Sequence, residues 1–219
     1  MTNNGWERLG AAGGILFVIL QIVSQSLIQI GGSEPPFNAP AQDIVEFFLS
    51  RNSQLFEVGG YMSILSSIAF GWFLGSLWSR LRRAEEEPAW LSLLSFGFGL
   101  VALTLVAIAG AGWTLAMFRL NEGIDPQIVR LLFDLGNFIF ANIWVMLAGF
   151  LLATGVVTIR TGALPRWLGW SGVVIALGLL VARALWAGPA GIAFTPYVLF
   201  WLWLIATSIV LMVRRAVPA

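Results

Sequence analysis

Hydrophobic residues fall in six long runs separated by short polar segments, and these runs approach or exceed the roughly 20 residues needed to cross a bilayer. The predicted helices cover residues 9–30, 56–81, 90–118, 125–160, 167–186 and 197–213. Asp125-Pro126 predicts the N-cap and first turn of the fourth helix, and Thr195-Pro196 predicts those of the sixth. A turn at residues 188–191 ends the fifth helix. The pattern predicts an all-α, polytopic membrane protein with six transmembrane helices.

The longest polar segment, residues 31–54, is predicted to form an outer loop between the first two helices. Within this loop, residues 41–50 have the pattern of a short amphipathic helix. Its predicted apolar face consists of Ile44, Val45, Phe48 and Leu49. We expect this helix to lie flat at the membrane interface, either as an anchor or as a lid. The whole chain, residues 1–219, is predicted to be a single transmembrane domain.

One pattern occurs twice in the chain. A carboxylate followed two residues later by a glycine begins the second and the fourth helix, at Glu57 and Asp134. An arginine and then a Pro-x-Trp-Leu turn follow each of these helices, with the turns at residues 88–91 and 165–168. The pattern predicts two parallel helical-hairpin repeats, helices 2-3 and 4-5, flanked by helices 1 and 6.

Charged residues are concentrated near the predicted helix ends. If both termini face the cytoplasm, the inner side holds eight of the 12 arginines. The four outer arginines are then Arg51, Arg119, Arg130 and Arg183. This asymmetry predicts an N-in/C-in orientation. The run Glu85-Glu86-Glu87, which lies beside two arginines in a short turn, is interpreted as a solvated surface.

Small and amide side chains are predicted to bring helices together. Gln21, Gln25 and Gln29 recur every four residues and therefore form one stripe on the first helix. They predict either hydrogen bonds between helices or one wall of a hydrated pocket. Gly71 and Gly75 form a small-residue face on the second helix, where we expect another helix to approach closely.

Composition supports the membrane class and excludes most cofactor chemistry. The chain has 219 residues, of which 58% are apolar and 11% charged, and a mean hydropathy of +0.87. It contains no histidine and no cysteine, and all of its basic residues are arginine. Imidazole and thiolate ligation and lysine Schiff bases are therefore excluded, so we expect no metal and no cofactor. The net charge of +1 gives no indication of nucleic-acid binding.

Arg183 is the basic residue predicted to lie within the apolar layer. It is about 25 Å from Arg166 along the fifth helix, against about 30 Å of hydrocarbon. A cation at this depth is best satisfied by a carboxylate, and Asp134 and Glu57 lie on the same side at matching depth. The candidate cluster consists of Glu57, Asp134, Asn137, Arg183, Arg119, Tyr61 and Gln25. It is expected to form either an outward-facing polar pocket between the repeats or an ion-paired clamp that binds nothing.

The turn after the fourth helix carries a family resemblance. Residues 162–170 read Gly-Ala-Leu-Pro-Arg-Trp-Leu-Gly-Trp, and the chain also has a short N-terminus and a long first outer loop with a short helix. In this layout the chain resembles, over nearly its full length, a family of bacterial six-helix inner-membrane proteins catalogued as a domain of unknown function. The resemblance implies a multi-pass protein of the bacterial inner membrane. It implies no activity and no site residues.

The sequence favours a function without catalysis. No nucleophile-base pair, glycine-rich phosphate loop or HExxH helix is present, so we expect the chain not to be an enzyme. We expect an accessory or scaffold subunit of a membrane complex, or a protein that binds a lipid or a small molecule. Its partners would be membrane lipids, other subunits or a second copy. The alternative is a small secondary transporter or channel that works as an oligomer, although broken helices and filter residues are not apparent.

Overall fold

A computed structural model describes residues 3–30, 32–37, 39–120, 122–186 and 190–213, and the side chains of all of these except residues 3, 4 and 190–193. Within these ranges the chain forms seven α-helices and no strand. They are α1 (Asn3–Ile28), α2 (Ala41–Leu49), α3 (Ser53–Ala84), α4 (Trp90–Leu120), α5 (Pro126–Thr161), α6 (Arg166–Ala184) and α7 (Ala190–Val213).

Every helix except α2 is long and apolar enough to cross a membrane. The predicted all-α class with six spanning helices is confirmed, and the chain has the character of a multi-pass membrane protein. The predicted cap of α5 is also correct, because Asp125 Oδ1 accepts a hydrogen bond from the Gln127 amide at 2.8 Å. At the start of α3, Asn52 caps the helix in the same way through Leu55 N, at 3.1 Å.

The prediction for the start of the last helix is wrong. Thr195-Pro196 does not cap α7, which begins at Ala190 and contains Pro196 in its interior. The proline ring has room there because Gly178 of α6 faces it: a Cβ atom on Gly178 would lie 3.2 Å from Pro196 Cγ. Of the predicted turn at residues 188–191, the first two residues lie outside the described part, and the other two belong to α7.

The six long helices form a closed bundle in which neighbours in the chain are also neighbours in space. Along the chain, α1 packs against α3, α3 against α4, α4 against α5, α5 against α6 and α6 against α7, and α7 returns to α1. In their most apolar stretches, 56% of α5 is buried but only 22% of α4. The core of the bundle is therefore built around α5, with Phe70, Phe150 and Phe200 among its fully buried side chains.

The amphipathic helix α2 packs onto α4 and α5 at one end of the bundle, which we call the α2 end. Ile44 and Phe48 are fully buried there, in a second apolar cluster that also contains Phe133 of α5. Phe47 is buried as well, whereas Leu49 is 63% exposed. The buried face is therefore rotated from the predicted one, because the protein beneath α2, and not a flat membrane surface, determines which side chains point inward. The opposite end of the bundle, where α1 begins, is called the N-terminal end.

Candidate functional site

The acids of the predicted cluster do not meet Arg183. Glu57 is exposed on α3. Asp134 Oδ2 lies 3.6 Å from Nε of Arg130, one turn away on the same helix. Among the described residues, Arg183 forms no ion pair with either acid. The expected pairing is therefore incorrect, since the two acids are occupied locally or face the surroundings.

The outlying members of the predicted cluster are also elsewhere. Arg119 pairs with Glu122 in its own segment, with 2.6 Å between Nη1 and Oε2. Tyr61 is 61% exposed on α3, and Gln25 is exposed on α1. These three side chains lie on the surface of the bundle and do not extend a pocket around Arg183. Asn137 bonds to Glu34 and Arg183 bonds to Asn142, and neither of these partners is in the predicted set.

Arg183 is held by an amide and by aromatic rings. Its Nε donates a hydrogen bond to Asn142 Oδ1 of α5 at 2.9 Å. Its guanidinium carbon lies 5.0 Å from the centre of the Phe138 ring and 5.7 Å from that of Trp186. We call these four residues, Phe138, Asn142, Arg183 and Trp186, the arginine shelf. Both nitrogens at the tip of the guanidinium, Nη1 and Nη2, lack an acceptor among the described residues.

Helix periodicity explains how the arginine shelf forms. Phe138 and Asn142 are four residues apart on α5 and therefore lie on one face of it, one turn above the other. Arg183 is in the last turn of α6, and Trp186 follows just after the end of that helix. The loop between α1 and α2 covers the shelf through Phe37. The centre of the Phe37 ring lies 4.0 Å from that of the Trp186 ring, edge to face.

Glu34, in the loop before α2, was not predicted, and its polar neighbours are Asn137 and Arg51. Desolvation raises the pKa of its carboxyl group to about 7, while Asn137 of α5, within hydrogen-bonding reach, and the positive charge of Arg51 offset part of that rise. The surface of Glu34 is nevertheless exposed to water, which screens part of this desolvation. The α2 end therefore carries two polar groups: Glu34 with Asn137 and Arg51, and the arginine shelf.

Arg51 holds the loop in place. Its Nη1 donates to the carbonyl oxygens of Gln29 at 3.3 Å and Ile30 at 2.9 Å, and its Nη2 donates to Gly32 at 2.8 Å. The side chain is only 7% exposed, and its guanidinium carbon lies 4.2 Å from the centre of the Phe47 ring. Arg51 thereby bonds to carbonyl groups just after the end of α1, and it fixes the start of the loop relative to α2.

Of the three glutamines in the stripe on α1, Gln21 is the one that the structure shows bonded to another helix. Gln21 is buried, and its Nε2 donates to Ser66 Oγ of α3 at 2.8 Å. Gln25 and Gln29 are exposed. The predicted hydrogen bond between helices is thus confirmed for Gln21, and the stripe does not form the wall of a hydrated pocket.

A concave surface lies at the N-terminal end, between α1 and α3, and we call it the glycine groove. Its volume is about 410 Å³. It is lined by Trp6, Glu7, Gly10, Gly71, Trp72, Gly75, Ser76 and Ser79. The Trp6 and Trp72 rings are 6.2 Å apart and about half exposed, so they form an aromatic wall on the surface of the bundle.

Two of the three glycines in the groove are not needed for packing within the chain. A Cβ atom on Gly75 would meet nothing within 4 Å, and one on Gly71 would meet only Leu103 Cδ1, at 4.0 Å. By contrast, a Cβ atom on Gly10 would lie 3.1 Å from the Trp72 carbonyl oxygen. The predicted close approach of another helix at Gly71 and Gly75 is therefore not made by this chain, and the space over them is open.

The groove has a polar end built on Glu7. Ser79 Oγ donates to Glu7 Oε1 at 3.3 Å, and Arg83 Nη2 donates to the same oxygen at 2.8 Å. Ser76 Oγ donates to the Glu7 carbonyl oxygen at 2.8 Å. Arg83 also donates from Nε to the Ser79 carbonyl oxygen, while its Nη1 lacks an acceptor among the described residues. The groove therefore runs from an apolar half between the tryptophans to a polar half that ends at an arginine.

The two surfaces carry arginine, amide, carboxylate and hydroxyl groups beside aromatic rings. In the part of the chain that the structure describes, no three carboxylates come together as a possible metal site. The groups present are suited to holding an amphipathic molecule by apolar contact and by charge. No family model, no curated protein and no solved structure matches this chain. The family resemblance therefore stays a prediction.

Proposed function

We propose that the chain is a non-catalytic integral membrane protein that binds an amphipathic ligand, a lipid or lipid-like small molecule, through an outward-facing polar site at the arginine shelf. Arg183 carries this proposal. It is a cation at the end of an apolar helix, and its partners in the described chain are a neutral amide and two aromatic rings. An anionic headgroup would supply the missing opposite charge.

The energetic argument is that a positive charge beside hydrocarbon is costly without a partner. The hydrogen bond to Asn142 fixes the guanidinium but does not neutralise it. A carboxylate or phosphate oxygen could bond to Nη1 and Nη2 together, in the two-pronged geometry that arginine favours. The rings of Phe37, Phe138 and Trp186 lie beside this position and offer apolar surface to the chain of the ligand.

The orientation and location are part of the proposal. With both termini in the cytoplasm of a bacterial cell, the arginine shelf faces the outer leaflet of the inner membrane and the glycine groove faces the inner leaflet. The arginine count of the whole sequence supports this orientation. The ligand would therefore enter the shelf from the outer leaflet.

The parallel repeat is also proposed, and two glycines support it. Gly59 of α3 and Gly136 of α5 follow the two matching carboxylates at the same distance. A Cβ atom on Gly59 would lie 2.8 Å from Ile28 Cγ1 of α1, and one on Gly136 would lie 2.5 Å from Trp113 Cδ1 of α4. Each glycine thus admits the long helix that precedes it in the chain. In the proposed repeat of α3–α4 and α5–α6, both contacts are therefore made at the same position of the first helix of each hairpin.

An accessory or scaffold role is a second candidate, and the exposure of α4 favours it. Only 22% of its most apolar stretch is buried, and a Cβ atom on Gly97 or Gly110 would meet nothing within 4 Å. A helix of a partner subunit could approach α4 closely at those glycines. Co-purification of a larger complex in mild detergent, lost on changing Gly97 to leucine, would favour this role.

Photo-crosslinking tests the proposed ligand site. Proteoliposomes would be supplied with a fatty acid that carries a diazirine on its chain, and labelled peptides would be mapped by mass spectrometry. We expect labelling near Phe138 and Trp186, reduced about tenfold in Arg183→Gln, because a hydrogen bond to a charged group is lost. Arg183→Lys should keep part of the labelling, since it keeps the charge.

The matched control is Arg119→Gln, which removes an exposed arginine that is already paired with Glu122. This variant should label like the wild type. Equal labelling of wild type and Arg183→Gln would contradict the proposed site, and so would labelling spread evenly over the surface of the bundle.

A further inference from the structure

We propose that the glycine groove is a second and separate binding site, which takes one phospholipid from the leaflet at the N-terminal end. One acyl chain lies over Gly71 and Gly75 beside the tryptophan wall, and the phosphate meets Arg83 at the polar end. This inference does not depend on the arginine shelf, which lies at the other end of the bundle.

The apolar half of the groove fits a flexible chain. The space over Gly75 is open, and the space over Gly71 is almost open. At both glycines the helix backbone is exposed to the lipid layer without a side chain to cover it. Methylene groups in contact with this surface and with the Trp6 and Trp72 rings gain dispersion contacts that a disordered bilayer chain lacks. The groove therefore offers an acyl chain a better-packed position than the surrounding lipid does.

The polar half fits a phosphodiester. Arg83 is held in place by Glu7 Oε1 and by the Ser79 carbonyl oxygen, and its Nη1 keeps a donor free of acceptors in the described chain. Arg8, next to Glu7 in sequence, is exposed at the same end. Arg83 and Arg8 outnumber the Glu7 carboxylate here. Of the acids in the following turn, Glu85 is bonded to the start of α4 and Glu87 is paired with Arg82, so the polar end of the groove keeps a local positive charge. That charge favours the phosphate of a lipid at the depth where headgroups lie.

A lipid fits this groove better than a helix of another chain. Trp6 and Trp72 are each about half exposed and stand beside the glycines. Bulky rings beside the small residues would keep the backbone of a second helix away, whereas close helix packing needs small residues across the contact. An acyl chain is thin enough to lie between the rings and the glycines.

The test compares two glycines that are equally open. Gly75→Leu fills the groove, and Gly97→Leu places the same side chain on α4, outside the groove; neither added Cβ has a neighbour within 4 Å. The purified proteins would be delipidated, mixed with dioleoyl phosphatidylglycerol or with dioleoylglycerol, which lacks the phosphate, and analysed by native mass spectrometry. The thermal unfolding midpoint of each variant without lipid checks that it is folded.

We expect the wild type and Gly97→Leu to retain one phosphatidylglycerol, and Gly75→Leu to retain about tenfold less, because the apolar contacts of the acyl chain are lost. Arg83→Gln should weaken retention of phosphatidylglycerol but not of dioleoylglycerol. Equal retention by Gly75→Leu and wild type would overturn the inference. So would a dimer that dissociates in Gly75→Leu, because the occupant would then be a second copy of the chain.

Discussion

The hairpin α5–α6 and the hairpin α3–α4 share a sequence pattern but occupy different environments. In the most apolar part of α5, 56% is buried, whereas α4 is the least buried of the spanning helices at 22%. The turn after α5 folds inward, with Ala163 and Leu164 buried, and the Ala163 carbonyl oxygen accepts a hydrogen bond from Arg80 Nε at 3.2 Å. One hairpin thus forms the centre of the bundle, and the other its open side.

The difference shows that a matching position does not imply a matching role. Asp134 in the buried hairpin pairs with Arg130, while its counterpart Glu57 is exposed. The arginine shelf is built on the buried hairpin, where rigid neighbours can hold a charged side chain in one place. The glycine groove borders the open hairpin, where backbone remains uncovered and a flexible ligand can lie.

The sharpest way to test this contrast is to add the same methyl group to both hairpins. Gly136→Ala would place Cβ 2.5 Å from Trp113 Cδ1 and 3.0 Å from the Ala109 carbonyl oxygen, so α4 and α5 must move apart. We expect a loss of about 1–3 kcal/mol of stability from this overpacking. Gly75→Ala meets nothing within 4 Å and should be neutral or stabilising by up to about 1 kcal/mol.

The measurement is the thermal unfolding midpoint in lipid-free detergent, so that loss of a bound lipid does not contribute. Gly97→Ala, which also meets nothing within 4 Å, is the control for adding a methyl group to an exposed helix. If Gly136→Ala and Gly75→Ala had the same effect, the contrast between a closed and an open hairpin would be wrong.

A smaller effect is expected at the turn of the open hairpin. The carboxylate of Glu85 accepts hydrogen bonds from Leu91 N at 3.2 Å, Ser92 N at 2.8 Å and Ser92 Oγ at 2.5 Å. Glu85 therefore caps α4. The prediction that the three glutamates form a solvated surface holds only for Glu86 and Glu87, which are exposed. The turn after α5 has no such carboxylate: Gly162 ends α5 in the left-handed conformation, with φ of 71°, and no side chain caps the start of α6.

Glu85→Ala should cost about 1 kcal/mol, the usual loss when a helix cap is removed. Glu85→Gln should cost less, because one acceptor oxygen remains. Glu86→Ala is the control, and its unfolding midpoint should equal that of the wild type. A Glu85→Ala variant as stable as Glu86→Ala would show that the carboxylate does not hold this turn.

Local patterns predicted the parts of the fold that depend on few residues. The spanning helices follow from the length of the apolar runs, and the Asp125 cap follows from two adjacent residues. The arginine shelf depends on which faces of α5 and α6 meet, and the hydrophobic pattern of a spanning helix does not fix this rotation, because lipid and protein neighbours are both apolar. The depth of Arg183 in its apolar run predicted that it needs a partner, but without the rotation of the helices Asn142 could not be chosen over Asp134.

The glycines illustrate the same limit. Gly75 and Gly136 are both glycines on similar apolar helices. The sequence alone does not show that Gly75 is open and that a neighbouring helix covers Gly136, because this depends on how the helices pack. The amphipathic pattern of α2 likewise predicted a helix but not its buried face. Phe47 is buried because α4 and α5 lie beneath it, and this contact is between segments far apart in sequence.

The smallest expected effect concerns the loop that covers the buried hairpin, and it depends on pH. Desolvation raises the pKa of the Glu34 carboxyl group from 4.5 to about 7. The folded chain therefore holds a proton that the unfolded chain releases, so stability should fall as pH rises from about 4.5 to about 7. Because Glu34 is exposed at the surface, water screens part of the effect and the slope should be small.

Glu34→Gln stays neutral at every pH and should remove this slope. The difference in unfolding midpoint between Glu34→Gln and wild type should grow between pH 4.5 and pH 7 and stay constant above it, because Glu34 is then ionised in both the folded and the unfolded wild type. Glu46→Gln, an exposed change on α2, controls for a general loss of negative charge at this end. If Glu34→Gln shows the same dependence of stability on pH as the wild type, the Glu34 carboxyl group is solvated in the folded chain. The loop over the buried hairpin would then be as open to water as the glycine groove.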